Sequence, residues 1–198
     1  RAHLAEFGIV EPHGRDGLGK LIEVVQAGAD LPEAARQALL SLVRQIASLA
    51  EEINALDRQM RAAAKDNEIA RRLQTIPGVG PVIASALAAT VTDARLFRNG
   101  RELAAWIGLT PRQHSTGGRL RLGGISKRGD RYLRRLLVNG AQAVLLRSKA
   151  ARSDPWLLRL RAQKPLLKVA VALANKMGRM VWALLTKGGI YRAPALAA

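Results

Sequence analysis

Three hydroxyl side chains, Ser115, Thr116 and Ser126, lie within residues 112–135, a stretch that carries eight Arg or Lys and one acidic residue, Asp130. A serine or threonine hydroxyl is a weak nucleophile until activated, and a phosphodiester under attack needs cations to take up its developing negative charge. Arg112, Arg119, Arg121, Lys127 and Arg128 supply that charge in the glycine-rich part, which contains Gly117, Gly118, Gly123, Gly124 and Gly129. Arg131, Arg134 and Arg135 extend it and are expected to contact phosphate. His114 neighbours Ser115 and could relay a proton. Adjacent residues often point apart, however, so a phosphate-contacting surface histidine is the simpler reading. The competing role for Ser115 is a turn residue whose hydroxyl bonds its own backbone, and Ser126 reads as a turn or helix-approach residue.

Metal chemistry has little to work with in the same region. Beyond residue 74 the only carboxylates are Asp93, Glu102, Asp130 and Asp154. They are scattered, whereas two-metal phosphoryl transfer needs them clustered. No metal ligand is therefore assigned in this chain. There is no cysteine, hence no disulfide or thiolate site. Gly14-Arg-Asp-Gly-Leu-Gly19-Lys20 nearly matches a phosphate-binding loop, but Leu21 stands where that motif needs a hydroxyl on Mg²⁺. A nucleotide-binding role there is the least favoured function; Leu18, Leu21, Ile22 and Val25 read as the apolar face of a short helix.

The net charge of +17 is uneven. Residues 1–74 sum to −1 and residues 75–198 to +18. This asymmetry points to a polyanion partner for the second part, most simply nucleic acid; a generally basic, ribosome-like protein is the blander alternative. Aromatics make up 4%, so phosphate contacts should outweigh base stacking. The late apolar stretch 165–187 is interrupted by Lys168, Lys176 and Arg179, which argues against a membrane span. No signal-like run opens the chain, and the cytoplasm is the expected compartment. The first residue is Arg rather than Met, which points to a fragment or a processed chain.

The elements that position these residues read as all-α. Asp30, Pro32 and Glu33 form a helix start with a capping box. The following Leu39, Leu42, Ile46, Leu49, Ile53, Leu56 and Met60 alternate at spacings of three and four, a heptad seam. That seam needs a partner helix, either from a second subunit, the favoured choice, or from this chain. Lys65-Asp66-Asn67 bends or ends the helix. Ile76-Pro-Gly78-Val-Gly80-Pro81 has the look of a helix-hairpin-helix element, with a tight turn and a helix opening at Pro81 whose free amides can face phosphate; a plain packed corner is the alternative. A connector and a short helix to residue 109 follow, with Trp106 expected in the core. Asp130 should cap a helix running past Val144. A polar break at 148–154 precedes helices at 155–163 and 165–187. At most a short hairpin fits around 119–125.

Taken in order, Ile-Pro-Gly-Val-Gly-Pro (76–81), Phe-Arg-Asn-Gly-Arg-Glu-Leu-Ala-Ala-Trp-Ile-Gly-Leu-Thr-Pro-Arg-Gln-His-Ser-Thr-Gly-Gly (97–118) and Leu-Gly-Gly-Ile-Ser-Lys-Arg-Gly-Asp-Arg-Tyr-Leu-Arg (122–134) resemble the C-terminal half of certain bacterial insertion-sequence transposases. Those proteins join an N-terminal RuvC-like domain bearing four acidic residues to a C-terminal transposase domain. The resemblance covers essentially the whole chain and is most specific over 73–140. It implies the end of a linker at 1–29, a coiled-coil helix at 30–72, a C-terminal transposase and DNA-binding domain at 73–190 and a tail at 191–198. It further implies a recombinase that moves its own element, working as a homo-oligomer with a guide RNA. A serine nucleophile is carried over to Ser115, with Thr116 as its rival because it directly precedes Gly117. Mg²⁺ is expected only in the upstream acidic domain. A non-catalytic nucleic-acid-binding module is the alternative function.

Overall fold

The computed structural model describes residues 1–28, 31–114, 118–119 and 121–192. Among the described residues helix dominates, and the one departure from an all-α fold is a two-stranded antiparallel ribbon. Contacts divide the chain into two units, Arg1–Arg58 and Gln59–Ala198, with the division inside one long helix.

The first unit holds α1 (Ala2–Ala5), α2 (Arg15–Ala27) and the opening turns of α3 (Glu33–Asp66). Leu21 and Val25, four apart on α2, close a small core with Leu4 and Leu39. Gly17 is required because a Cβ there would fall on the Pro12 carbonyl. The near-match to a phosphate loop is overturned here. Gly14 precedes α2, while Gly19 and Lys20 lie within it, and the Lys20 ammonium stands 3.5 Å from Glu11. Asp30, expected to cap the next helix, lies outside the described residues. Glu33 opens α3 with bonds from Arg36 (2.9 Å) and Gln37 (2.6 Å). The Arg36 hydrogen bond holds its carboxyl below the ordinary carboxylate range.

The helix of the heptad seam forms as expected and runs to Asp66. Only Leu39 of the seam is buried; Leu42, Ile46, Leu49, Ile53, Leu56 and Met60 are 37–65% exposed. The helix stops because Asn67 leaves helical geometry and its side chain accepts from the Ala70 amide, capping α4 (Glu68–Leu73).

The second unit is built around α10 (Leu166–Lys187). Its buried residues fall in adjacent stripes, Val169, Leu173, Met177, Val181 and Ala170, Ala174, so it presents a wide apolar face. Against it pack α7 (Arg131–Arg147), α6 (Gly100–Trp106), α4 and a 3-10 turn at Ala94–Leu96. Gly100 allows α6 to rest on the α10 backbone at Arg179. Two long-range bonds tie the 94–110 segment to α10. The Trp182 indole N–H is shared between the carbonyls of Ala94 (3.1 Å) and Phe97 (2.9 Å), and Asn175 donates to the Leu109 carbonyl (3.2 Å). Trp106 departs from its expected core position: it is 39% exposed, its ring tilted against Phe97 at 5.6 Å. The expected polar break at 148–154 contains a short helix, α8 (Lys149–Ser153), because the Ser148 hydroxyl caps it at Ala151. Then α9 (Pro155–Gln163) follows with Asp154 as its cap. Tyr191 is anchored by its amide to the Thr75 hydroxyl at 2.8 Å, and residues 193–198 of the expected tail lie outside the described residues. No helix among the described residues is long and apolar enough to cross a membrane.

Candidate nucleic-acid interface

The stretch 112–135 is held by a clasp of two glycines. The chain leaves α6 through Gly108 (φ +81°) and later enters α7 through Gly129 (φ +92°). A Cβ on Gly108 would fall on the Arg128 carbonyl, and one on Gly129 on the Trp106 carbonyl. The two backbones therefore touch where no side chain fits. Two backbone bonds close the clasp, from the Ser126 amide to Thr110 (2.8 Å) and from the Lys127 amide to Gly108 (3.2 Å). Lys127 itself sits at φ +56°, left-handed backbone that a non-glycine residue adopts at a cost.

Between the arms of the clasp runs the ribbon, β1 (Pro111–Gln113) against β2 (Leu122–Ile125). Pro111 faces Ile125 and Gln113 faces Leu122, so β2 carries one extra residue at Gly123-Gly124, a bulge. The His114 amide donates to the Arg121 carbonyl at 2.8 Å and extends the pairing. The expected hairpin at 119–125 is thus one strand of a ribbon whose other strand is 111–113. Ser115, Thr116 and Gly117 lie outside the described residues, in the connection between the strands.

The predicted cations divide into two kinds. Arg112, Arg119, Arg121, Lys127, Arg128, Arg131 and Arg135 are exposed. The Arg112 guanidinium reaches the carbonyl of Ser126, the residue before Lys127 in sequence, at 3.4 Å. Arg135 lies over the Tyr132 ring at 5.7 Å. Arg134 has a different task. It is half-buried, and Nη1 donates to the Ile107 carbonyl at 2.8 Å, satisfying the end of α6. Nothing in a basic run separates Arg134 from Arg131 and Arg135 except that it flanks Leu133, three residues before Leu137, at the edge of the buried stripe. The Ser126 hydroxyl is buried without a hydrogen-bond partner among the described residues.

The predicted glycines divide likewise. Gly78 (φ +85°) packs backbone to backbone on Gly140 of α7: a Cβ on Gly78 would stand 2.7 Å from the Gly140 carbonyl oxygen. Gly140 is the partner that sequence reading passes over, and its signal is a glycine inside an otherwise regular helix. Gly80 is exposed, with nothing within 4 Å of a Cβ, and precedes α5 (Pro81–Thr90).

All four carboxylates beyond residue 74 have local partners. Asp93 caps the 3-10 turn and pairs with Arg95 at 3.0 Å, a hydrogen bond that holds its carboxyl below the ordinary range. Glu102 accepts from the Arg98 amide at 2.6 Å. Asp130 caps α7 through Leu133 (2.8 Å), and Asp154 caps α9 through Trp156 and Leu157 (2.9 and 3.0 Å). The described residues contain no group of three metal-ligating side chains.

Comparison with known proteins bears on the same segments. Residues 70–156, which run from within α4 past the end of α8 and include the ribbon, match the model of the Transposase IS116/IS110/IS902 family. A probable family 20 transposase of Pseudomonas aeruginosa is 46% identical over 97% of this chain and 58% of its own length. The transposase for insertion sequence element IS1111A of Coxiella burnetii is 37% identical over 98% of the chain and 55% of its own length. That for IS1328 of Yersinia enterocolitica is 38% identical over 96% and 57%. The chain therefore spans little more than half the length of these relatives. Residues 70–156 thus match the Transposase IS116/IS110/IS902 family model, and nearly the whole chain is homologous to part of proteins named as insertion-sequence transposases.

Proposed function

We propose that this chain binds DNA and takes part in transposition of an insertion sequence, with Ser115 as the nucleophile and Thr116 as its rival. The observation that carries the reading is the clasp. It closes a ribbon whose strands flank Ser115 and Thr116 in sequence, on a stretch where Arg112, Lys127 and Arg128 are exposed. In the step envisaged, the Ser115 Oγ loses its proton to a base and attacks phosphorus. An Oγ–P bond forms, a sugar–oxygen–phosphorus bond breaks, and the released sugar hydroxyl takes up a proton. The exposed arginines would stabilise the charge that builds on the phosphoryl oxygens.

Three further parts belong to the same reading. The α4–α5 corner is read as a helix-hairpin-helix contact. Gly80 leaves the start of α5 open, and the Val82 and Ile83 amides have no acceptor within the helix. The exposed seam of α3 is read as a coiled-coil contact with a second copy. From the family resemblance, Mg²⁺ and a guide RNA are expected partners; this chain's late carboxylates, which already serve as caps and local partners, are not assigned to the metal.

The test uses the longest open reading frame that contains this chain, incubated with labelled insertion-sequence junction DNA and resolved on a denaturing gel. A covalent protein–DNA adduct that disappears in Ser115→Ala and persists in Thr116→Val supports Ser115. The reverse pattern transfers the role to Thr116. Binding with no adduct from any variant leaves a non-catalytic nucleic-acid-binding module.

A further inference from the structure

The second unit carries a further basic surface that the clasp does not use. Residues 149–168 hold six cations, Lys149, Arg152, Arg159, Arg161, Lys164 and Lys168, and one acidic residue, Asp154. Asp154 is engaged in capping α9. All six cations are exposed, and residues 161–168, the corner between α9 and α10, are exposed without interruption. Some arginines elsewhere have a local acidic partner, as in Arg36–Glu33, Arg72–Glu68, Arg95–Asp93 and Arg98–Glu102. None of the six has an ion pair among the described residues. Unpaired like charges concentrated on one corner oppose folding and are kept at that cost where a polyanion takes them up.

The corner is held firmly enough to present them. Leu157 is buried, and Lys176 of α10 lies over the Trp156 ring of α9 at 4.5 Å. Leu158, Leu166 and Leu167 are also exposed on this corner, which could suggest a second copy of the chain. A symmetric contact would set six cations against six, which disfavours it. No exposed aromatic ring stands among residues 157–168 to stack single-stranded bases. We infer that the α8–α9–α10 corner is a second phosphate-backbone contact for duplex DNA, separate from the clasp. It rests on the DNA-binding reading above.

The fold sets the spacing. The clasp leads into α7 at Arg131, and the basic corner begins just past its other end at Arg147. Sixteen helical steps give about 24 Å, or about seven base pairs of duplex. A duplex shorter than that reaches one surface only.

The experiment measures how affinity of the chain for a 20-base-pair duplex depends on salt, for the wild type and two variants. The corner variant carries Arg159→Gln, Arg161→Gln, Lys164→Gln and Lys168→Gln; the clasp variant carries Arg131→Gln and Arg135→Gln. Each lost phosphate contact lowers the slope of log K against log salt by about 0.9. The corner variant, which removes four cations, should lose about two to four units of slope and at least tenfold in affinity, with its circular dichroism unchanged. On a six-base-pair duplex it should differ little from wild type. An unchanged slope on the long duplex while the clasp variant loses slope overturns the second contact alone. A slope change confined to single strands or to RNA overturns the assignment to duplex DNA. No binding by the wild type overturns the DNA-binding reading and this inference together. Lys164→Glu with Lys168→Glu, which should weaken binding further than Lys164→Gln with Lys168→Gln, guards against a variant that merely unfolds.

Discussion

At the residue scale, side chains of one type have opposite tasks, and the structure separates them. Arg134 donates to the Ile107 carbonyl from a half-buried position, whereas Arg131 and Arg135 are exposed. A hydrogen bond from a charged group is worth about 1.5–3 kcal/mol. Arg134→Ala should therefore lower stability by about that amount in urea denaturation. Arg131→Ala should leave the midpoint unchanged and weaken DNA binding; equal stability in the two variants would place Arg134 on the binding surface after all. The glycines divide in the same way. Gly129→Ala places a Cβ on the Trp106 carbonyl at φ +92° and should cost about 2 kcal/mol or more. Gly124→Ala has nothing within 4 Å and should stay within about 0.5 kcal/mol of wild type. A tolerated Gly129→Ala would show that the clasp opens without penalty.

At the element scale, α3 poses the sharpest question. Six consecutive seam residues from Leu42 to Met60 stay exposed within the chain, although each is worth about 1.5–3 kcal/mol when fully buried. The chain should self-associate at micromolar concentration in sedimentation equilibrium. Leu49→Lys with Ile53→Lys, at the two positions of 57% and 65% exposure, should leave monomers. A monomeric wild type would remove the seam from the assembly. Helices are also where the sequence was most legible. The three-and-four spacing marks α3, and Asn67, Asp130 and Asp154 cap the helices that follow because their side-chain oxygens accept nearby amides. Pro81 and Pro155 open α5 and α9 for a similarly local reason. The ribbon was half legible: Gly123-Gly124 suggests a turn or bulge, but nothing local names 111–113 as the facing strand. The Gly108–Gly129 and Gly78–Gly140 approaches were not legible, since each joins residues 21 or more apart that are close only in the folded chain.

At the scale of the whole chain, charge and carboxylate placement decide what this polypeptide can do by itself. The surplus lies beyond residue 74, where 22 cations face four carboxylates. Each of those four is already a cap or the local partner of an arginine. Recruiting any of them to a metal would forfeit a helix start, at about 1 kcal/mol for each capping aspartate, and would still leave them on separate elements. On the DNA-binding reading proposed above, holding phosphates and cutting them are therefore separable. In low salt with Mg²⁺, the chain should retard a supercoiled plasmid on a native gel and leave it supercoiled after protein removal. Retardation should fade between about 50 and 200 mM salt, as expected when several phosphate contacts release counterions. Metal-dependent nicking by the purified chain, absent from Ser115→Ala, would show that its own residues assemble a complete cleavage site. Nicking that Ser115→Ala leaves intact would move the chemistry away from the ribbon altogether.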